Sequence, residues 1–103
     1  MGIAMTSAVG KINVLARQLH GSDSAATAFT LRSLRDHVDE VEGLLKDKDP
    51  HWKAETVDVI IHALTLLRRG RVGQRQLDGL MARRLARFRE KITAANGNNK
   101  DGD

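Results

Sequence analysis

An all-helical fold follows from three features of the 103-residue chain: apolar residues recur at three- and four-residue intervals, breakers separate the periodic stretches, and aromatic residues are scarce. Trp52, Phe29 and Phe88 are the only members of that class, so the core must be built from Leu, Val, Ile and Ala. Such side chains suit helix packing better than a sandwich of strands. With 41% hydrophobic residues the chain belongs with globular rather than disordered sequences.

The first helix is expected over Ala8 to Leu19, where Ala8, Ile12, Leu15 and Leu19 share one face. The small polar run His20 to Ser24 ends it. A second helix begins between Ala25 and Thr30 and reaches Lys46, with Leu31, Leu34, Val38, Val41 and Leu45 as its apolar stripe. Lys46 to Pro50 reads as a turn, and Asp49 before Pro50 suits the N-cap of the next helix. That third helix, His51 to Arg69, is the most apolar stretch and should lie at the centre of the fold. After Gly70 to Gly73 a fourth helix is expected from Gln74 to about Ile92. The reading is a four-helix bundle forming one domain over 1–94, with an unstructured tail over 95–103 that has nothing to bury.

Composition narrows the function classes. With no cysteine there is no disulfide framework, no thiolate zinc site and no thiol nucleophile. No apolar run approaches the roughly 18 residues that cross a bilayer, and Met1 to Ala8 has no secretory pattern. A cytoplasmic location without membrane contact is therefore expected. A core this small would gain from self-association. The net charge of +4 is unevenly spread: carboxylates dominate from Asp36 to Asp58, and nine Arg and Lys face two acids from Arg68 to Lys91. A basic fourth helix carrying Arg83, Arg84, Arg87 and Arg89 can attract nucleic acid or another acidic partner.

The candidate chemistry lies on the third helix. At about 100° per residue, Glu55, Asp58 and His62 fall in one narrow stripe on an otherwise apolar helix, and Thr65 continues it. Buried carboxylates are costly unless paired or bound to a cation. On the second helix Asp39 and Glu42 stand in the same i, i+3 relation and flank the apolar seam, while Asp36 and Glu40 point towards solvent. If the two helices form an antiparallel hairpin, four carboxylates converge into an oxygen-rich nest suited to Mg²⁺ or Mn²⁺. His37 and His20 read as surface residues, and Trp52 as a packing residue. Asp47-x-Asp49 lacks the glycine of a calcium loop, and Gly70-x-x-Gly73 lacks the strand of a phosphate-binding fingerprint.

Asp39-Glu40-Val41-Glu42, a 12-residue interval, Glu55-Thr56-Val57-Asp58 and the run Val59 to Leu67 together resemble the all-α nucleotide pyrophosphohydrolase superfamily of MazG, dimeric dUTPase and phosphoribosyl-ATP pyrophosphohydrolase. Gly70 to Phe88 is similar to the closing helix of those enzymes, and the likeness spans about Leu31 to Phe88. The family's first motif has adjacent glutamates and a further one three residues on. Here Val38 precedes Asp39, and Gly43 stands where a leucine is usual. The resemblance implies a Mg²⁺-dependent enzyme that splits a nucleoside triphosphate into monophosphate and pyrophosphate, working as a homodimer or homotetramer. It also implies Asp39, Glu42, Glu55 and Asp58 as metal ligands, Glu42 and Glu55 as catalytic carboxylates, and His62 and Arg69 at the substrate.

Overall fold

The structure, a computed structural model, describes the backbone of residues 3–101 and the side chains of 3–97. Four α-helices follow in order: α1 (Ser7–His20), α2 (Asp23–Lys46), α3 (Trp52–Arg69) and α4 (Gln74–Asp101), with no strand among the described residues. They fall into two compact units, one over Met5–Val72 that holds α1 to α3, the other comprising 73–101 with 3–4.

Local chemistry sets the boundaries. Gly21 closes α1 in the left-handed conformation at φ 91°, and its N–H bonds to the Arg17 carbonyl at 2.8 Å. The Ser22 hydroxyl accepts the Ala25 N–H at 3.1 Å, and Asp23 sits in the first turn, favourable to the helix dipole. This cap starts α2 at Asp23, earlier than the Ala25 to Thr30 expected, because the polar run that ends one helix also begins the next. Between α2 and α3 the Asp49 carboxylate accepts the His51 N–H at 2.9 Å. Asp49 thus organises the turn, while α3 begins three residues later at Trp52.

Within the unit Met5–Val72, α1, α2 and α3 each pack against the other two. Val9, Ala26, Thr30, Leu64 and Thr65 form the buried centre. Three threads of hydrogen bonding tie it together. Thr30 and Thr65 return their hydroxyls to the carbonyls of Ala26 and Ile61, at 2.9 and 2.8 Å. Asn13 Nδ2 reaches from α1 to the Thr65 carbonyl at 3.1 Å. Arg69 Nη1 reaches from α3 to the hydroxyls of Thr27 and Thr30 at 3.1 and 3.2 Å.

Two expectations about faces need correction. The inward face of α2 is Ala26, Thr30, Leu34, His37, Val41 and Leu44, all buried or half-buried. Leu31, Val38 and Leu45, from the expected stripe, are 39%, 53% and 51% exposed. Small Ala26 and Thr30 let a neighbouring helix approach closely, and that closeness rotates α2 towards them. Likewise α3 is not covered all round: Val57, Ile60 and Ile61 are exposed, while its polar stripe turns towards α2.

In the second unit, α4 continues to Asp101 and does not stop near Ile92. The expected tail is therefore helical over 95–101, and 102–103 lie outside the described residues. Once a helix is nucleated each further residue adds a backbone hydrogen bond, so extension needs no apolar surface to bury.

Because Ala26 has 0% exposure at the α2 centre, Ala26→Leu is expected to destabilise the chain by about 1–3 kcal/mol through overpacking. Ala28→Leu, on the exposed face of the same helix, should stay within about 0.5 kcal/mol of the parent. Urea denaturation of the two variants reads the difference.

Candidate metal centre

α2 and α3 bring together a cluster centred on His37. Its Nδ1 lies 2.6 Å from Glu55 Oε2, 3.9 Å from Asp58 Oδ2 and 3.9 Å from Glu40 Oε2. An ionised carboxylate only accepts, so Nδ1 carries the proton and donates it to Glu55. On the other side His51 Nε2 stands 3.6 Å from Glu55 Oε1. The His62 ring stacks on that of His37, with centroids 5.0 Å apart and planes at 27°. One ligand atom from each of His37, Glu55 and Asp58 falls within 4.8 Å of the others.

The positions follow from helix geometry. His37 and Glu40 are one turn apart on α2, as are Glu55 and Asp58 on α3, and His62 adds the next turn. Glu55 is also in the first turn of α3, where the helix dipole favours a negative charge.

The electrostatics divide the carboxylates into two kinds. Hydrogen bonding from His37, and then from Glu40, holds Glu55 below the ordinary glutamate value of 4.5. Glu40 is pushed above that value, because in its protonated form it donates to Glu55 and because the Glu55 charge repels a second anion. The hydrogen bond to Glu55 holds His37 above 6.5, with the charges of Glu55, Asp58 and Glu40 adding to it against the effect of burial. His62 moves the other way, first through burial and then through the neighbouring charge of His37.

Of the residues singled out from the sequence, Glu55, Asp58 and His62 are brought together here. Asp39 and Glu42 lie exposed on α2, outside the cluster, and Glu40, expected to face solvent, takes part in it. Arg69 is eleven residues beyond Asp58, about 16 Å along the helix axis, bound to Thr27 and Thr30. His37 was missed because its neighbours suggested an exposed flank. The available signal was the pair Asp36-His37 with Glu40 three residues on, the spacing of adjacent acids plus a third.

The donors suit a divalent cation: one imidazole nitrogen with the carboxylates of Glu55 and Asp58, and Glu40 within reach. Imidazole and carboxylate together fit Mn²⁺ or a related first-row ion better than Mg²⁺, which prefers oxygen alone. Such an ion competes with the Nδ1 proton, so its binding releases a proton. Comparison with known proteins finds no matching family model, no matching curated protein and no matching solved structure.

The pKa shifts set a pH window. His37, held above 6.5, contributes its full stability below pH 6.5 and loses it as pH rises through the raised value. Glu55, held below 4.5, contributes fully above pH 4.5 and loses that as pH falls through the depressed value. His62, held below 6.5 by burial and then by the His37 charge, opposes folding on acidification, and less so in the variant that lacks that charge. In EDTA, the difference in melting temperature between the parent and His37→Gln should therefore be widest between pH 4.5 and 6.5. It should narrow as pH rises through the raised value of His37. A difference that is constant across this range contradicts the assignment of the ion pair.

Proposed function

We propose that this chain is a divalent-metal-dependent nucleoside triphosphate pyrophosphohydrolase, splitting its substrate into monophosphate and pyrophosphate. The observation that carries the reading is the convergence of His37, Glu40, Glu55 and Asp58 from two facing helices. These positions support the resemblance to the MazG-type superfamily in a register different from the one expected. Asp36-His37 stands where the family has adjacent glutamates, Glu40 falls three residues after His37, and Glu55-x-x-Asp58 opens the next helix. His37 then replaces a glutamate, and Gly43 lies beyond the motif.

His37, Glu55 and Asp58 would hold the ion, Mn²⁺ or Mg²⁺, with Glu40 beside them. When bound, a divalent ion neutralises phosphate charge and lowers the pKa of water. The protein's own groups do the rest. Glu55 stays ionised under the influence of His37 and keeps the centre anionic. Glu40 Oε2, on the carboxylate with the raised affinity for a proton, accepts one from the attacking water. This gives Glu40 the role expected of Glu42. His62 links the cluster to a cavity of about 230 Å³ lined in part by Leu15, Leu19, His20 and Phe29, apolar enough to take a base. His20 and Phe29 already pair there, with ring centroids 4.6 Å apart. Exposed Val57, Ile60 and Ile61 on α3 support assembly of two or four copies.

Pyrophosphate release across a nucleotide panel with Mn²⁺ and with Mg²⁺ tests the reading. Glu55→Gln and Asp58→Asn should each lower turnover on the order of 10²–10³-fold, the loss typical of removing one charge-stabilising group. Asp39→Asn and Glu42→Gln should leave it unchanged. Absence of turnover together with absence of metal-dependent thermal stabilisation overturns the proposal.

A second reading is favoured by α4, exposed along 82–97 and carrying Arg83, Arg84, Arg87 and Arg89. It is a non-enzymatic module that binds nucleic acid or an acidic partner. Salt-sensitive binding of DNA or RNA, lost on changing Arg83, Arg84 and Arg87, would identify it.

A further inference from the structure

At the far end of α3 lies a second concentration of charge with the opposite sign. A cavity of about 250 Å³ is lined by Gly10, Asn13, Val14 and Arg17 of α1, Asp23 at the start of α2, and Arg68, Arg69 and Arg71. Four guanidinium groups thus face one carboxylate. No ion pair joins Asp23 to any of them among the described residues. Arg69 is held by two hydroxyls alone, and its Nε and Nη2 are buried without a hydrogen-bond partner, as is Asn13 Oδ1. Buried polar groups are normally matched, so the two bare nitrogens of Arg69 mark a place where an acceptor is missing.

We propose that this cavity binds a phosphoryl group, free or at the end of a nucleotide. Its volume is below the roughly 300–1,000 Å³ of sites that enclose a drug-sized molecule, so only the anionic end of a ligand enters. Arg17, Arg68 and Arg71 are exposed at its rim, while Arg69 provides a fixed charge behind them. Three exposed guanidinium groups offer more donors than the two oxygens of a carboxylate accept, whereas a phosphoryl group presents three or four. The inference does not rest on the metal reading.

The backbone gives an independent sign. Arg71 is in the left-handed region at φ 64°, a position after a helix end that glycine usually takes. The turn itself is well formed, with the Val72 N–H on the Leu67 carbonyl at 3.0 Å and the Arg71 N–H on the Arg68 carbonyl at 2.9 Å. Gly70, one residue earlier, has an ordinary negative φ of −81°. Lys48 takes the same region at φ 58° after α2, so what sets Arg71 apart is that its less favoured conformation falls in the cavity lining, where glycine would be less strained.

Calorimetric titration of the full chain with inorganic phosphate, pyrophosphate and uridine monophosphate tests this, with EDTA present so that no divalent ion bridges ligand and acidic cluster. Acetate at the same ionic strength is the control. Saturable one-to-one binding of at least one phosphoryl ligand is expected, and the pattern across the three tells a free anion from a nucleotide end. Arg17→Ala and Arg71→Gly should each weaken it about tenfold or more, the loss of a charge-assisted hydrogen bond. Arg35→Ala, exposed on α2 and outside the cavity lining, should not. Arg71→Gly should also raise the melting temperature, so that lost binding is not read as lost folding. The proposal is overturned by lack of saturable binding, by equal binding of acetate, by an Arg71→Gly variant of unchanged affinity, or by an Arg35→Ala loss as large as that of Arg17→Ala.

Discussion

The 2.6 Å contact between His37 Nδ1 and Glu55 Oε2 is the constraint around which the α1 to α3 unit is arranged. It places a half-buried imidazole against a half-buried carboxylate on the facing helix. Neither group could occupy that position alone without a desolvation penalty. Once they are paired, Asp58, Glu40 and His51 collect around them at 3.6 to 3.9 Å, and His62 stacks on His37. One contact thus joins the polar ends of α2 and α3 in the same rotation that Ala26 and Thr30 set at the other end of α2.

That orientation has a consequence for the apolar residues. α3 has more Val, Ile and Leu than α1 and α2 cover between them, and with its polar stripe directed at α2 the surplus turns outward. Val57, Ile60 and Ile61 on α3, and Leu31, Val38 and Leu45 on α2, are exposed as a result. The interior is correspondingly small and rich in Ala and Thr, whose hydroxyls bond to their own helix at no cost in partners. Close approach of backbones replaces bulk as the means of packing.

How much of this was legible in the sequence follows from the same residues. Helix number and the three interhelical breaks were readable, because glycine, proline and small polar residues punctuate at fixed places. The rotation of α2 was not. Leu31, Val38 and Leu45 form one seven-residue series, and Thr30, His37 and Leu44 form another one residue earlier. Hydrophobicity selects the first; close packing through Ala26 and Thr30 selects the second. A rotation of one residue moves Glu40 into the cluster and leaves Asp39 and Glu42 outside it, so the α3 half of the site was legible and the α2 half was displaced. The length of α4 was missed for a simpler reason, since composition reports what can be buried and a helix can extend without burial.

Charge along α3 now has a direction. Glu55 stands in the first turn, Asp58 one turn on, His62 in the middle, and Arg68 and Arg69 in the last turn. Each end therefore complements the helix dipole, which favours anions at the N-terminus and cations at the C-terminus. The dipole accounts for the sign of each end but not for its excess. At the first end carboxylates from both helices gather around His37, and at the other four arginines line a cavity with one aspartate. Within one fold, the two imbalances lie too far apart to neutralise each other through water and salt, given a separation of about 16 Å and a Debye length near 8 Å. Each is therefore balanced within its own end, by neighbouring side chains, water and mobile ions, and each presents the charge that a ligand of opposite sign would meet. The largely apolar cavity at His62 and Thr65 lies between them.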